Sequence, residues 1–196
     1  KFTSKLIDKT LVEHPGIKEI LKWCAIFHTR KLAPPYPGGS FGNLSFRKTD
    51  GQTNFIITAT KTALCKELTN KDFVEITDCE LQKNGTVYGK GIKKPSSESM
   101  VHYALYKKRT KINAIFHGHS QIILKNAEKL SLTVTDEEKE AGTIELVQSI
   151  LEKAGHENFI IAKGHGFFSL GQTMEQAGQQ ALEALDKCES LSFPNT

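Results

Sequence analysis

Apolar residues recur along the chain with two periods, and the switches between them mark its elements. From Pro15 to Leu32, Ile17, Ile20, Leu21, Cys24 and Phe27 fall three and four apart, which places them on one face of a helix entered at Pro15. The Pro- and Gly-rich run APPYPGGSFG after it has no period and reads as a loop leading into a short strand from about Leu44. TNFIITAT reads as a strand, ELTNKDFVEIT as a turn and a second strand, and KNGTVYG as a hairpin turning at Asn84 and Gly85. KPSSESMVHYALYKKR predicts a helix starting near Ser96 or Ser97, with Met100, Tyr103 and Ala104 on its apolar face. KINAIFH is a strand of the buried type, and SQIILKNAEKL a helix. A long helix lies within TDEEKEAGTIELVQSILEKA, one or two strands in ENFIIAKGHGFFSLG, and a closing amphipathic helix is capped at Thr173. No repeat or low-complexity linker interrupts the pattern, so residues 1–196 read as a single α/β domain with a mixed or largely antiparallel sheet.

Composition narrows the partners. The net charge of +4 is mild and dispersed, and the basic clusters KGIKK and YKKRTK lack interleaved aromatic residues, so they read as solvated faces and no nucleic-acid partner is expected. Cys24, Cys65, Cys79 and Cys188 are scattered without a CxxC pair, the pattern of free thiols. No apolar run approaches the ~20 residues of a membrane span, and no charged-then-apolar leader opens the sequence; no membrane partner and a cytoplasmic location are expected.

The candidate chemistry lies in the histidines. In FHGH, His117 and His119 are two apart at the end of an apolar strand, so an extended backbone points both to one side, where they can share a cation. His165 in KGHGFF has a matching setting, with Gly118, Gly164 and Gly166 small enough for close approach of backbones. Three imidazoles without cysteine suit a catalytic zinc with an open position better than a structural one; ordinary core or surface histidines are the alternative. His14, His28, His102 and His156 have no such setting and read as structural or exposed. Ser96 and Ser97 stand at a helix start, a place for an anion, with Glu98 in the first turn either as a general acid/base or as a complement to the helix dipole. The loop GGSFGNLSF, with Asn43 and Ser45, has the composition of a phosphate cradle.

Taken in order, GNLS, ITAT, KPSSE, HGH and a late GHG resemble the class II aldolase/adducin family over about residues 15–190. The resemblance implies a three-layer α/β/α sandwich around a largely antiparallel sheet. It implies a divalent metal, zinc or another ion such as manganese, on His117, His119 and His165, with Glu98 as a further ligand and the acid/base. It implies phosphate binding by Asn43, Thr60, Ser96 and Ser97, and a homotetramer with interfacial active sites. The implied reaction is cleavage of a fuculose-1-phosphate-like ketose 1-phosphate to glycerone phosphate and an aldehyde through a metal-stabilised enediolate. Two departures stand out. Lys61 occupies a place where many relatives have glycine; it is placed with the phosphate-binding residues as an added charge, the alternative being that it points away and blocks a close backbone approach. The family's tyrosine proton donor has no counterpart, since Tyr36, Tyr88, Tyr103 and Tyr106 all lie outside the segment 120–145 and the tail. Within the family the alternatives are a methylthioribulose-1-phosphate dehydratase, a sugar-phosphate 4-epimerase (usually with aspartate where Glu98 stands) and a four-carbon acid-phosphate decarboxylase. Outside enzymes, the alternative is an adducin-like scaffold, which needs no histidines in metal register.

Overall fold

The computed structural model describes residues 2–65, 67–82 and 85–192. Its strands, numbered along the chain, are β1 (Thr3–Asp8), β2 (Pro35–Tyr36), β3 (Gly39–Ser40), β4 (Gly42–Arg47), β5 (Phe55–Thr58), β6 (Phe73–Glu80), β7 (Thr86–Gly91), β8 (Ala114–Gly118), β9 (Thr133–Val134), β10 (Phe159–Ala162) and β11 (Gly166–Gly171). The helices are α1 (Ile17–Thr29), α2 (Ser99–Lys108), α3 (Gln121–Asn126), α4 (Ile144–Lys153) and α5 (Met174–Ser192). Nine strands join in the order β1-β7-β6-β5-β4-β8-β11-β10-β9, and β2 pairs with β3 in a separate small hairpin.

The sheet is mixed, which corrects the expectation of a largely antiparallel one. Its interior ladders are antiparallel, but β1 joins β7 and β9 joins β10 in parallel at the two edges. Neither edge strand is legible in the sequence. β1 is half solvated and carries no apolar alternation, and β9 is only two residues long. Both are held by backbone hydrogen bonds that any residue except proline can donate.

The helical periods hold where a face is buried. α1 buries Ile17, Ile20, Trp23, Cys24 and Phe27, and packs with α3 and α5 on one face of the sheet around Leu44, Phe116 and Phe167. α2 and α4 cover the other face, around Phe55, Ile115 and Phe168. This three-layer arrangement leaves the sheet apolar on both sides. α4 is shorter than the expected long helix, because Thr143 caps it by accepting from the Leu146 N–H at 3.2 Å. Thr173 caps α5 as expected, accepting from Gln176 N–H. The β6–β7 hairpin is present, although Lys83 and Asn84 of its expected turn lie outside the described residues. All four cysteines are thiols. Among the described residues no helix is long and apolar enough to cross a membrane.

Buried polar contacts fix α2 against β4. The Ser45 hydroxyl on β4 pairs with His102 Nδ1 at 2.7 Å and with the Tyr106 hydroxyl at 2.8 Å, two positions one helical turn apart on α2. Arg47, two residues further along β4, donates from its guanidinium to the carbonyls of Tyr106 and Arg109, which the end of a helix leaves without intrahelical partners. Moving two residues back along β4 and four back along α2 from the Ser45–His102 pair leads to Asn43 and Glu98. One register therefore sets both pairs.

His102 makes acid stability measurable. Burial pushes its imidazole down to about 3, whereas the unfolded chain takes up a proton near the ordinary value of 6.5. The stability this neutral histidine permits is fully present above 6.5 and is lost as pH falls from there towards 3. Urea melts at pH 7 and pH 5 are expected to differ by about 2 kcal/mol more in the wild type than in His102→Gln, which has no group to protonate there. The same pH slope in both proteins would remove His102 as the cause.

Candidate metal centre and active site

The middle of the sheet builds the centre. β8 lies between β4 and β11, and its register sets His117 opposite Asn43 on one side and Phe168 on the other. Opposed residues in a ladder share a face, so these three side chains project together towards α2. β8 ends at Gly118, and the next N–H, that of His119, donates to the Leu32 carbonyl at 2.7 Å, which fixes the turn away from the sheet. His165 comes from the tight β10–β11 connection, where Gly164 has a left-handed backbone (φ 68°) and His165 N–H returns to the Ala162 carbonyl.

The three imidazoles converge. One ligand atom from each of His117, His119 and His165 falls within a group no wider than 4.8 Å. The His117 and His119 Nε2 atoms are 3.1 Å apart, and the His117 and His165 rings stack at 5.1 Å. His117 is fully buried and its Nδ1 lies 2.8 Å from the Phe167 carbonyl oxygen. A carbonyl oxygen pairs only with an N–H, so Nδ1 carries the proton and Nε2 keeps its lone pair for the cluster. His165 Nε2 is buried without a hydrogen-bond partner among the described residues.

Electrostatics favour neutral rings. Burial first, then the neighbouring imidazoles, holds His117 well below the ordinary histidine range, and the same causes bring His119 down to about 3. Burial also lowers His165, against the opposing pull of Glu98 and Glu138. Neutral imidazoles with converging lone pairs, one of them an orphan, fit a divalent cation. Glycine makes the packing possible. A Cβ on Gly166 would stand 2.5 Å from the Gly118 carbonyl oxygen and 2.9 Å from His117 Cε1, and one on Gly42 would stand 2.6 Å from the His117 carbonyl oxygen.

Glu98 stands outside the group of three ligand atoms but beside it. It occupies the cap position of α2, one or two residues later than the helix start expected at Ser96 or Ser97, and is 7% exposed. Its Oε2 accepts from Asn43 Nδ2 at 2.9 Å and from the Ser96 hydroxyl at 3.0 Å, and its Oε1 accepts from the Ser97 hydroxyl at 2.9 Å. The second Asn43 N–H goes to Ser96 Oγ at 2.9 Å. The side-chain donors of Asn43, Ser96 and Ser97, expected to hold a phosphate, are thus engaged with the carboxylate and with one another. The reason is the register of β4 against α2, which the motifs do not encode.

Asn43, Thr60, Lys61, Ser96, Ser97, Glu98, His119 and His165 nonetheless line one cleft of about 340 Å³. Thr60 N–H donates to the Lys94 carbonyl at 2.9 Å, and Lys61 follows with a left-handed backbone (φ 53°), a conformation that favours glycine. Tyr36, Phe41 and Thr62 line the same cleft and were not anticipated. The signal for Tyr36 was its Pro35–Tyr36–Pro37–Gly38–Gly39 setting, a turn sequence that folds the ring back towards the Gly-rich loop. A second opening of about 540 Å³ also reaches His119 and His165, past Arg30, Lys31 and Phe41.

The family described as Class II Aldolase and Adducin N-terminal domain matches residues 18–191. The chain is similar to a protein named L-fuculose phosphate aldolase from Methanocaldococcus jannaschii, 32% identical over 193 residues that cover 91% of this chain and 96% of that one. A protein of the same name from Methanococcus maripaludis is 30% identical over 191 residues, covering 90% and 96%. Among solved structures, a sugar-phosphate aldolase from Thermotoga maritima superposes with a TM-score of 0.73 at 19% identity over 92% of this chain and 96% of that one, a likeness of fold.

Proposed function

The chain belongs to the class II aldolase and adducin N-terminal domain family, and from that premise we propose that it is a metal-dependent aldolase cleaving a ketose 1-phosphate to glycerone phosphate and an aldehyde. The observation that carries this reading is the convergence of three neutral imidazoles beside a buried glutamate, in one cleft with Thr60, Lys61 and the start of α2. His117, His119 and His165 would hold the ion, with zinc favoured by an all-nitrogen set and manganese the alternative. A divalent ion there supplies Lewis-acid polarisation of the ketose carbonyl and its neighbouring hydroxyl.

The chain's own residues do the rest. Lys61, Thr60 and the positive end of the α2 dipole draw the phosphate and orient the sugar. The C3–C4 bond breaks with its electron pair moving towards the C2 carbonyl, while the C4 hydroxyl gives its proton to the Glu98 carboxylate and C4 becomes the aldehyde. Glu98 then delivers that proton to C3, so that proton gain at carbon balances proton loss at oxygen. Asn43, Ser96 and Ser97 hold its carboxylate in place for that transfer. The same reading takes the protein as a homotetramer with interfacial sites. Phe41, 47% exposed beside His119, offers a neighbouring subunit apolar surface there.

The names of the relatives make L-fuculose 1-phosphate the first substrate to offer. Zinc- or manganese-loaded protein is expected to release glycerone phosphate from at least one member of a ketose 1-phosphate panel, read by its NADH-linked reduction. Consumption of a sugar phosphate without glycerone phosphate would move the reading to dehydration, epimerisation or decarboxylation. Metal-loaded protein inert on every sugar phosphate would favour a scaffold role.

A further inference from the structure

We propose that Tyr36 is a phosphate ligand, its hydroxyl completing the phosphate subsite beside Lys61 from the β2–β3 hairpin. The inference rests on reading the cleft as a sugar-phosphate site and adds a residue that no motif marks.

The asparagine and serine donors of the subsite are already engaged. Both Asn43 side-chain N–H groups are taken by Ser96 and Glu98, and the Ser96 and Ser97 hydroxyls both donate to Glu98. What remains at the Lys61 end is the Lys61 ammonium, the hydroxyls of Thr60, Thr62 and Ser40, and backbone N–H groups, with Lys61 the one charged donor among them for a dianion with three terminal oxygens. Tyr36 lines the same cleft, and its hydroxyl makes no hydrogen bond to the described residues. A phenol is a ready donor.

The hairpin puts that hydroxyl in place. Tyr36 pairs with Gly39 across a Pro37–Gly38 turn in which Gly38 has a φ of 90°. The Tyr36 oxygen lies 2.7 Å from where a Gly39 Cβ would stand, and the Lys61 Cα lies 3.1 Å from the same point. Hydroxyl and lysine backbone therefore flank one glycine. Two further contacts anchor the hairpin. Ser40 Oγ accepts from Leu64 N–H at 3.1 Å, and the Tyr36 ring packs on Phe41 at 4.8 Å, which packs on His119 at 5.3 Å. The ladder of rings ties the hydroxyl to the histidine cluster, so phosphate and metal ends are held by connected parts.

The test is binding of inorganic phosphate to the full, metal-loaded chain by calorimetry, wild type against Tyr36→Phe, with metal content and ligand-free melting temperature as controls. Loss of one hydrogen bond to a charged group is expected to weaken phosphate binding about tenfold or more. In turnover the same factor appears in KM for the ketose phosphate, with kcat within about twofold. Equal phosphate affinity in both proteins overturns the role of Tyr36 while leaving the phosphate site in place. A fall in kcat with phosphate affinity unchanged also overturns it, by moving the phenol to bond cleavage. A wild type that binds no phosphate at millimolar concentration overturns this inference and the phosphate reading together. Weakened phosphate binding in a protein that cleaves no sugar phosphate sustains Tyr36 and sinks only the aldolase assignment.

Discussion

His117→Ala is expected to reduce metal content from about one ion per chain to background, and to lower ketose-phosphate cleavage about a thousandfold or more. Of the three imidazoles, His117 is the most constrained. Its Nδ1 is fixed on the Phe167 carbonyl, one ring face lies on Phe168 at 4.3 Å, and His165 stacks at 5.1 Å. A ligand held in one tautomer and one orientation loses little freedom when a cation arrives, so its removal takes away a preorganised lone pair as well as a contact. The same burial means that alanine leaves a cavity and an unpaired carbonyl, costing about 2–4 kcal/mol of stability. His119→Ala, at the end of β8 and partly exposed, separates the two effects. Elemental analysis, with circular dichroism as the check on folding, should find both variants folded and both without metal. Full metal and an unchanged rate in either would remove the imidazoles as ligands.

The contrast between these histidines and the serines beside them marks how far the sequence could be read. The convergence of the three histidines was legible because its placement follows from local geometry. Residues two apart at a strand end point to one side, and GHG closes a tight connection that brings His165 to the same place. The helices and the inner hairpins were legible for a similar reason, since burial against one face imposes a period. What escaped depends on pairing between distant segments. β1 is held by the backbone of β7, and its largely solvated side chains carry no period. The α2 start moved because Pro95 is drawn into a bridge with Ala59 and the Ser96 and Ser97 hydroxyls turn to Glu98. A motif can place serine, asparagine and glutamate near one another, but which donor is already taken is a property of register. Here the buried Ser45–His102 contact sets that register. Tyr36 escaped for the converse reason, since its partners, Gly39 and Lys61, become neighbours only once the hairpin has folded.

Glu98→Gln is expected to lower kcat about a hundredfold to ten-thousandfold while the protein keeps its metal and its fold. The exchange is nearly isosteric, and the surroundings can absorb it. The amide oxygen replaces Oε2 as acceptor for Asn43 and Ser96, and the Ser97 hydroxyl rotates to accept from the new NH2 in place of Oε1. What the amide cannot do is carry a proton to carbon. The variant therefore isolates proton transfer from positioning, and the KM for the ketose phosphate should move little. Phosphate binding is the internal control, because the Tyr36 and Lys61 end of the cleft is untouched. A variant that loses metal along with rate would instead make Glu98 a working ligand, drawn in beside His165 once the ion is bound. An unchanged kcat would strip Glu98 of any role in the chemistry, and leave its hydrogen bonds to Asn43, Ser96 and Ser97 as a tie between β4 and the segment that enters α2.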